Sequence, residues 1–274
     1  MTKTDLLDQL VAEVLTSAKY RHVDPVLVQA IGRRELQSHG RLKEAIKETK
    51  NKLHQVGAAY LEGRMNYDAW LASLHAAPDA AHQQAICLEC MRAHASTRER
   101  LPILERFYAT IFEQLPPIRH VLDLACGLNP LARPWMPLDP AARYSACDIF
   151  ADLVAFVGQA LPLLGTPTNA WVADLSRAAP LPSDQDVDLT MALKLLPVLE
   201  QIERGAAARL LQQLPSRWIV ISYPLQSLGG RGKGMREQYQ RQFAALATDQ
   251  PWRIEEFAFP SELVYRIERL PHPA

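Results

Sequence analysis

The sequence predicts an α/β protein: a mainly parallel sheet of seven strands that finishes in an antiparallel C-terminal hairpin, preceded by an all-helical segment. Three observations predict this. The first hundred or so residues place apolar side chains at helical spacing with little strand signal. From Arg119 onward, short apolar runs alternate with helical stretches, as parallel strands joined by right-handed crossovers do. Finally, the run Val121-Leu122-Asp123-Leu124 stops at the small-residue turn Ala125-Cys126-Gly127, where lack of bulk lets a ligand lie against the backbone.

Composition sets the outer limits. With 274 residues, 48% of them hydrophobic, the chain buries a full core and is long enough for two domains, which excludes disorder. Thirty basic residues balance thirty acidic ones, so any nucleic-acid argument has to come from local clustering. The cysteines Cys87, Cys90, Cys126 and Cys147 include one C-x-x-C pair without a second pair to complete a zinc set. Cys87 and Cys90 therefore read as small hydrophobes on one helix face, and no metal is expected. Neither a signal peptide nor an apolar run near the ~20 residues of a membrane span is visible, which predicts a soluble, cytoplasmic monomer.

In order along the chain, Leu6, Leu7, Leu10, Val11, Val14 and Leu15 recur at helical spacing behind Thr4, the expected N-cap. Asp24-Pro25 supplies an N-cap and a first-turn proline for a second helix that closes at His39-Gly40. A third helix, Leu42 to His54, carries Lys43, Lys47 and Lys50 on one face. Residues 19–64 hold ten basic against five acidic side chains, a surplus of five, although Glu44 and Glu48 are placed to pair with Lys47 and Lys52. Helices are expected at Tyr67 to His75 and Asp79 to His94. The polar cluster His94 to Arg100 follows, where Ser96 or Thr97 with Glu99 resembles a capping box for the helix Ile103 to Leu115. Pro116-Pro117 marks the boundary between residues 1–115 and 116–274.

The expected strands are His120 to Leu124, Arg143 to Cys147, Ala170 to Val172, Val187 to Leu193, Trp218 to Ser222, Arg253 to Phe259 and Leu263 to Ile267. The clearest intervening helices are Ala151 to Leu164 and Gln201 to Leu214. Seven strands ending in a hairpin suggest the Rossmann-like sheet of the class I methyltransferases.

A dinucleotide site would want Gly-x-Gly-x-x-Gly after the first strand. Here Gly127 stands alone, flanked by Ala125 and Asn129, which resembles the turn of enzymes that use S-adenosyl-L-methionine. Asp123, Asp148 and Asp174 fall at three successive strand ends. Asp148 lies at the spacing that presents an acid to a ribose diol, and Asp174 is expected beside the adenine.

At His94 to Arg100 and Ala125 to Ala132 the chain resembles the aminoglycoside-resistance 16S ribosomal RNA methyltransferases that modify N7 of guanosine 1405. Further matching stretches are Leu53-His54 with Gly57 to Tyr60, Leu193 to Pro197, and Ser227 to Met235, in order over about Val14 to Ile267. The resemblance implies a helical N-terminal domain (1–115) that docks on 16S rRNA in the 30S subunit, and a catalytic domain (116–274) that holds S-adenosyl-L-methionine. Carried over position by position, it places Tyr60, His94, Ala95, Ser96, Arg100, Ala125, Gly127, Asp148, Asp174, Leu175 and Leu193 at the cofactor. Arg100 is a natural bidentate partner for the methionyl carboxylate. Lys43, Lys47, Lys50, Arg231, Lys233, Met235 and Tyr239 are the expected RNA contacts, with Tyr239 available to stack on an extruded base. The chain departs from the family at Ser222-Tyr223-Pro224-Leu225-Gln226, where relatives carry Ser-Phe-Pro-Thr and a basic residue, and at Gln238 and Ile202.

The implied reaction needs no general acid or base, because guanine N7 has an in-plane lone pair and no proton. Orientation and tolerance of a cation moving from sulfur to purine would carry the catalysis. N7 faces the deep major groove of A-form RNA, so the base would have to be distorted or flipped outward. A methyltransferase of a small molecule or of another RNA site is the alternative, as is an RNA-binding protein that has lost cofactor affinity.

Overall fold

The computed structural model describes residues 3–61, 65–177, 181, 186–226 and 234–271. The arginine and lysine expected in the glycine-rich loop, Arg231 and Lys233, lie outside them. Seven strands, β1 (His120–Leu124), β2 (Arg143–Asp148), β3 (Thr168–Val172), β4 (Leu189–Leu193), β5 (Trp218–Pro224), β6 (Trp252–Ala258) and β7 (Glu262–Arg269), form one sheet in the order β3-β2-β1-β4-β5-β7-β6. The pairings through β5 are parallel, while β7 runs antiparallel between β5 and β6. The central strands are buried along their whole length, which explains their continuous apolar runs. Strand order reverses between β1 and β4, so their C-terminal ends diverge and leave a crevice.

The N-terminal layer comprises α1 (Lys3–Leu15), α2 (Pro25–His39), α3 (Leu42–Leu53), α4 (Tyr67–Ala76), α5 (Ala80–Arg92), α6 (Ala95–Arg100) and α7 (Leu104–Phe112). Asp24 caps α2 through Val26 N–H, and Gly40 ends it in the left-handed conformation. At the start of α1, Thr4 sits inside the helix, which already includes Lys3, and so does not cap it. The cluster expected to be a capping box is itself helical: α6 begins at Ala95, and Thr97 Oγ1 donates to the Met91 and His94 carbonyls. A single π-helical turn, His54–Ala58, extends α3 and shifts the following side chains off its register. The next layer holds α8 (Ala151–Leu163), α9 (Leu196–Ile202), α10 (Ala206–Gln213) and α11 (Met235–Ala247). The helix expected over 201–214 is thus two, broken where Gly205 takes a φ of +82°.

One apolar core runs from Leu10 and Leu27 in the helical layer to Val121 and Tyr144 in the sheet, and a second covers the opposite face around Leu122, Leu210 and Ile221. Cys87 and Cys90 are buried in the first core, and burial pushes both thiols up to about 12. Among the described residues no helix is long and apolar enough to cross a membrane.

Candidate cofactor-binding site

A cavity of about 900 Å³, mouth included, occupies the crevice at the C-terminal ends of β1, β2 and β4, and α2 and the π turn cover it. Its size is that of a small-molecule site. The backbone is strained on both sides: Ala125 after β1 has a φ of +49° and Lys194 after β4 one of +59°. Two non-glycine residues in the left-handed region cost on the order of 1 kcal/mol each, and such strain gathers at functional sites.

The carboxylate Asp148 is oriented by three backbone amides: Gly127 N–H donates to Oδ2 at 2.9 Å, and Ile149 and Phe150 N–H donate to Oδ1 at 2.7 and 3.3 Å. Burial raises its pKa while these donors oppose the rise. Asp174 differs. Its Oδ1 accepts from Ser176 N–H and Oγ at 2.9 and 2.6 Å, but Oδ2 is buried without a partner. An acceptor left unsatisfied in a cavity wall is costly unless a ligand donates to it.

At the other end, Arg100 is 1% exposed. Its Nε and Nη2 donate to Glu262 Oε1 and Oε2 at 2.9 and 3.0 Å, and Nη1 to Asn129 Oδ1 at 2.7 Å. The bidentate fork expected to hold a methionyl carboxylate is therefore engaged by a protein carboxylate. One N–H on each terminal nitrogen remains for a ligand. Asn129 passes the chain on to Asp123 Oδ2 at 2.8 Å, which Tyr144 OH also reaches at 2.8 Å. Burial pushes the Asp123 carboxyl up to about 7 despite these donors. Lys194, 5% exposed, binds Glu99 Oε2 at 2.6 Å and lies 3.6 Å from Glu262 Oε1. Two cations and two glutamates thus neutralise one another behind the cavity.

The roof is aromatic. Tyr60 stacks on His94 with ring centroids 6.1 Å apart, and the strip carrying Tyr60 pairs with the start of α6 through the Ala95 N–H to Tyr60 carbonyl bond of 2.8 Å. Burial first, then the cations Lys194, Arg100 and Arg98, hold His94 down at about 3, so its imidazole is neutral. A Cβ on Gly127 would meet the His94 ring at 2.8 Å, and its φ is +50°. The missing bulk at Gly127 thus makes room for a protein ring and not, as expected, for the ligand itself.

Of the expected cofactor residues, Tyr60, His94, Ser96, Arg100, Ala125, Asp148, Asp174, Leu175 and Leu193 line this cavity; Ala95 and Gly127 stand directly behind its wall. Ile202, a departure from relatives, also lines it, as do Leu27 and Val56 of the helical layer, which no motif signals. Lys43 and Lys47 are exposed on α3 and Lys50 half-buried, opposite the buried Ala45, Thr49 and Leu53. Glu44 pairs with Arg41 at 3.6 Å and Glu48 with Asn51 at 3.2 Å, not with the lysines that spacing suggested. Met235 opens α11, and Tyr239 packs one ring face on Tyr223 at 4.9 Å, leaving a single face for stacking.

Residues 16–266 match the model of the family described as ribosomal RNA methyltransferase (FmrO). The chain belongs to this family. It is 39% identical over 273 residues, 98% of each chain, to a 16S rRNA (guanine(1405)-N(7))-methyltransferase of Micromonospora rosea. A protein of the same description from Serratia marcescens is 33% identical, covering 96% of this chain and 98% of its own length. Among solved structures, the 16S rRNA methyltransferase RmtF in complex with S-adenosyl-L-homocysteine superposes with a TM-score of 0.83 at 30% identity, over 98% of this chain and all of that one. The 16S rRNA methylase RmtB follows with 0.79 at 27% identity, over 96% and 98%. The fold is accordingly that of a Rossmann-like methyltransferase with an antiparallel strand pair at its C-terminal end, and the chain is a methyltransferase enzyme.

Proposed function

We propose that this methyltransferase transfers a methyl group from S-adenosyl-L-methionine to N7 of guanosine 1405 of 16S rRNA, within the 30S subunit and in the cytoplasm. Residues 1–115 dock on the subunit and residues 116–274 carry the chemistry. The observation that carries the cofactor assignment is the buried, unpartnered Asp174 Oδ2 in the cavity wall. The exocyclic amine of adenine is a donor that suits it, and the amide-held Asp148 suits a ribose diol. The nucleotide assignment comes from relatives so described across nearly their full length.

When bound, the cofactor supplies a sulfonium methyl. This chain's residues then have three tasks. Asp148 and Asp174 orient the nucleoside end. Arg100, with one N–H left on each terminal nitrogen, meets the carboxylate end. The neutral His94 and its partner Tyr60 offer π faces in place of a cation near the reacting centre, so charge passing to the purine meets no repulsion. Lys194, though cationic, is neutralised by Glu99 and Glu262. No side chain need move a proton, because N7 carries none. Lys43, Lys47 and Lys50 supply phosphate contacts, with Tyr239 beneath an extruded base; Arg231, Lys233 and Met235 complete that set.

The test is methyl incorporation from labelled S-adenosyl-L-methionine into 30S subunits. Incorporation into 16S rRNA is expected, and a sensitive bacterium expressing the protein should resist gentamicin and kanamycin. No incorporation by a protein that binds the cofactor would overturn the RNA assignment in favour of another acceptor.

A further inference from the structure

The helical layer is tied to the nucleoside end of the cavity by a chain of polar contacts. Arg34, on α2, donates through Nη1 to the carbonyl of Ile202, the last residue of α9 and part of the cavity wall. Its Nη2 donates to Glu203 Oε2 at 2.7 Å. Arg209 on α10 reaches the other oxygen, Glu203 Oε1, at 2.7 Å and the carbonyl of Ser176 at 3.3 Å. Ser176 in turn donates to Asp174 Oδ1 from both its amide and its hydroxyl.

The contacts of Arg34 join residues 168 and 169 positions apart and cross from the N-terminal layer to the sheet layer beside the cavity. A guanidinium suits this place because its planar fork engages a carbonyl and a carboxylate together, which an ammonium cannot do with the same geometry. Leu27, also on α2, and Ile202 both line the cavity, so α2 and α9 form opposite parts of the nucleoside end. Separation of α2 from α9 would open that end and release the last link that fixes Asp174.

We infer that Arg34 and Glu203 are positioning residues for the cofactor: they clasp α2 to α9 and, through Arg209 and Ser176, set the Asp174 carboxylate against the nucleoside. This rests on the cavity being the S-adenosyl-L-methionine site. Because the helical layer also carries the lysines assigned to the ribosome, the clasp makes cofactor retention sensitive to how that layer is held.

The experiment measures S-adenosyl-L-homocysteine binding to the full chain by calorimetry and its release by stopped-flow fluorescence. Arg34→Ala and Glu203→Gln should each raise Kd about fivefold, as expected for a partly exposed charge-assisted contact, mainly through faster release. The double variant should be no weaker than the weaker single one, since both remove one contact. Arg34→Lys should recover only part of the loss, and high salt should speed release from the wild type more than from the variants. Wild-type kinetics in folded Arg34→Ala and Glu203→Gln proteins would overturn the clasp alone. Failure of the wild type to bind the ligand would overturn the cavity assignment and the clasp with it. Should Arg34→Ala not fold, Glu203→Gln decides the matter.

Discussion

The two ends of the cavity are built on opposite electrostatic plans. At the end holding Arg100, every charge has a protein partner: Arg100 with Glu262, Lys194 with Glu99, and Asp123 with Asn129 and Tyr144. At the other end, Asp174 has one oxygen satisfied and one buried with nothing to accept from. The first end is a finished piece of the protein interior, and a ligand meets it as a fixed surface. The second is finished only when a donor arrives. Substitutions should therefore act on stability at the first end and on binding at the second.

The largest effect is expected at Glu262. Glu262→Ala leaves the buried Arg100 guanidinium without its carboxylate, and unpairing a buried ion pair costs about 3–5 kcal/mol. Denaturant unfolding should show that loss before any ligand is added; a change below about 1 kcal/mol would mean that the pair is not the structural anchor its geometry suggests.

Asp174→Asn should do the reverse. Placing an amide donor where the buried acceptor now lies should weaken S-adenosyl-L-homocysteine binding about tenfold, or roughly 1.4 kcal/mol, with unfolding of the ligand-free protein unchanged within about 0.5 kcal/mol. Equal affinity would remove Asp174 from the nucleoside site.

His94 sharpens the comparison through pH. Its folded pKa lies near 3, below the ordinary 6.5, so the unfolded chain binds the extra proton as pH falls. The stability this contributes is fully present above about pH 6.5 and is lost as pH falls from there toward 3. His94→Asn, which cannot take up that proton, should flatten the decline between pH 6.5 and 4 in unfolding experiments. A variant with the wild-type slope would show that His94 titrates normally.

The smallest effect on the cavity is expected from the distant basic face. Reversing Lys43, Lys47 and Lys50 to Glu should leave cofactor affinity unchanged and weaken 30S binding, with a shallower salt dependence. Unchanged 30S affinity would return α3 to an ordinary solvated face.

The same contrast explains what could be read from the sequence. The strands were legible because each is an apolar run bounded by turn residues, and the bounds of β1 match residue for residue. Asp148 and Asp174 were legible because strand ends fix where a carboxylate points. Glu262 was not: it stands in the β6–β7 turn as an ordinary polar residue, and only folding brings it to Arg100, 162 positions away. Its partner Arg100 was found, but with its fork assigned to the ligand, since a sequence cannot show which of two carboxylates reaches a guanidinium first. Helix ends read least well where local and tertiary forces compete. Gly205 splits one expected helix, and α6 forms in a stretch whose polar side chains resembled a cap. The π turn has no local signature either. Its consequence is that Gly57 lies against Ile149 and Phe150, where a Cβ would stand only 2.9 Å from each.

The central claim, methylation at N7 of one guanosine, is tested most directly by primer extension on 16S rRNA from treated 30S subunits after borohydride and aniline, which cleave at 7-methylguanosine. A single new stop corresponding to guanosine 1405, dependent on both enzyme and S-adenosyl-L-methionine, is the predicted result. Incorporated methyl without that stop, or a stop at another nucleotide, would contradict it.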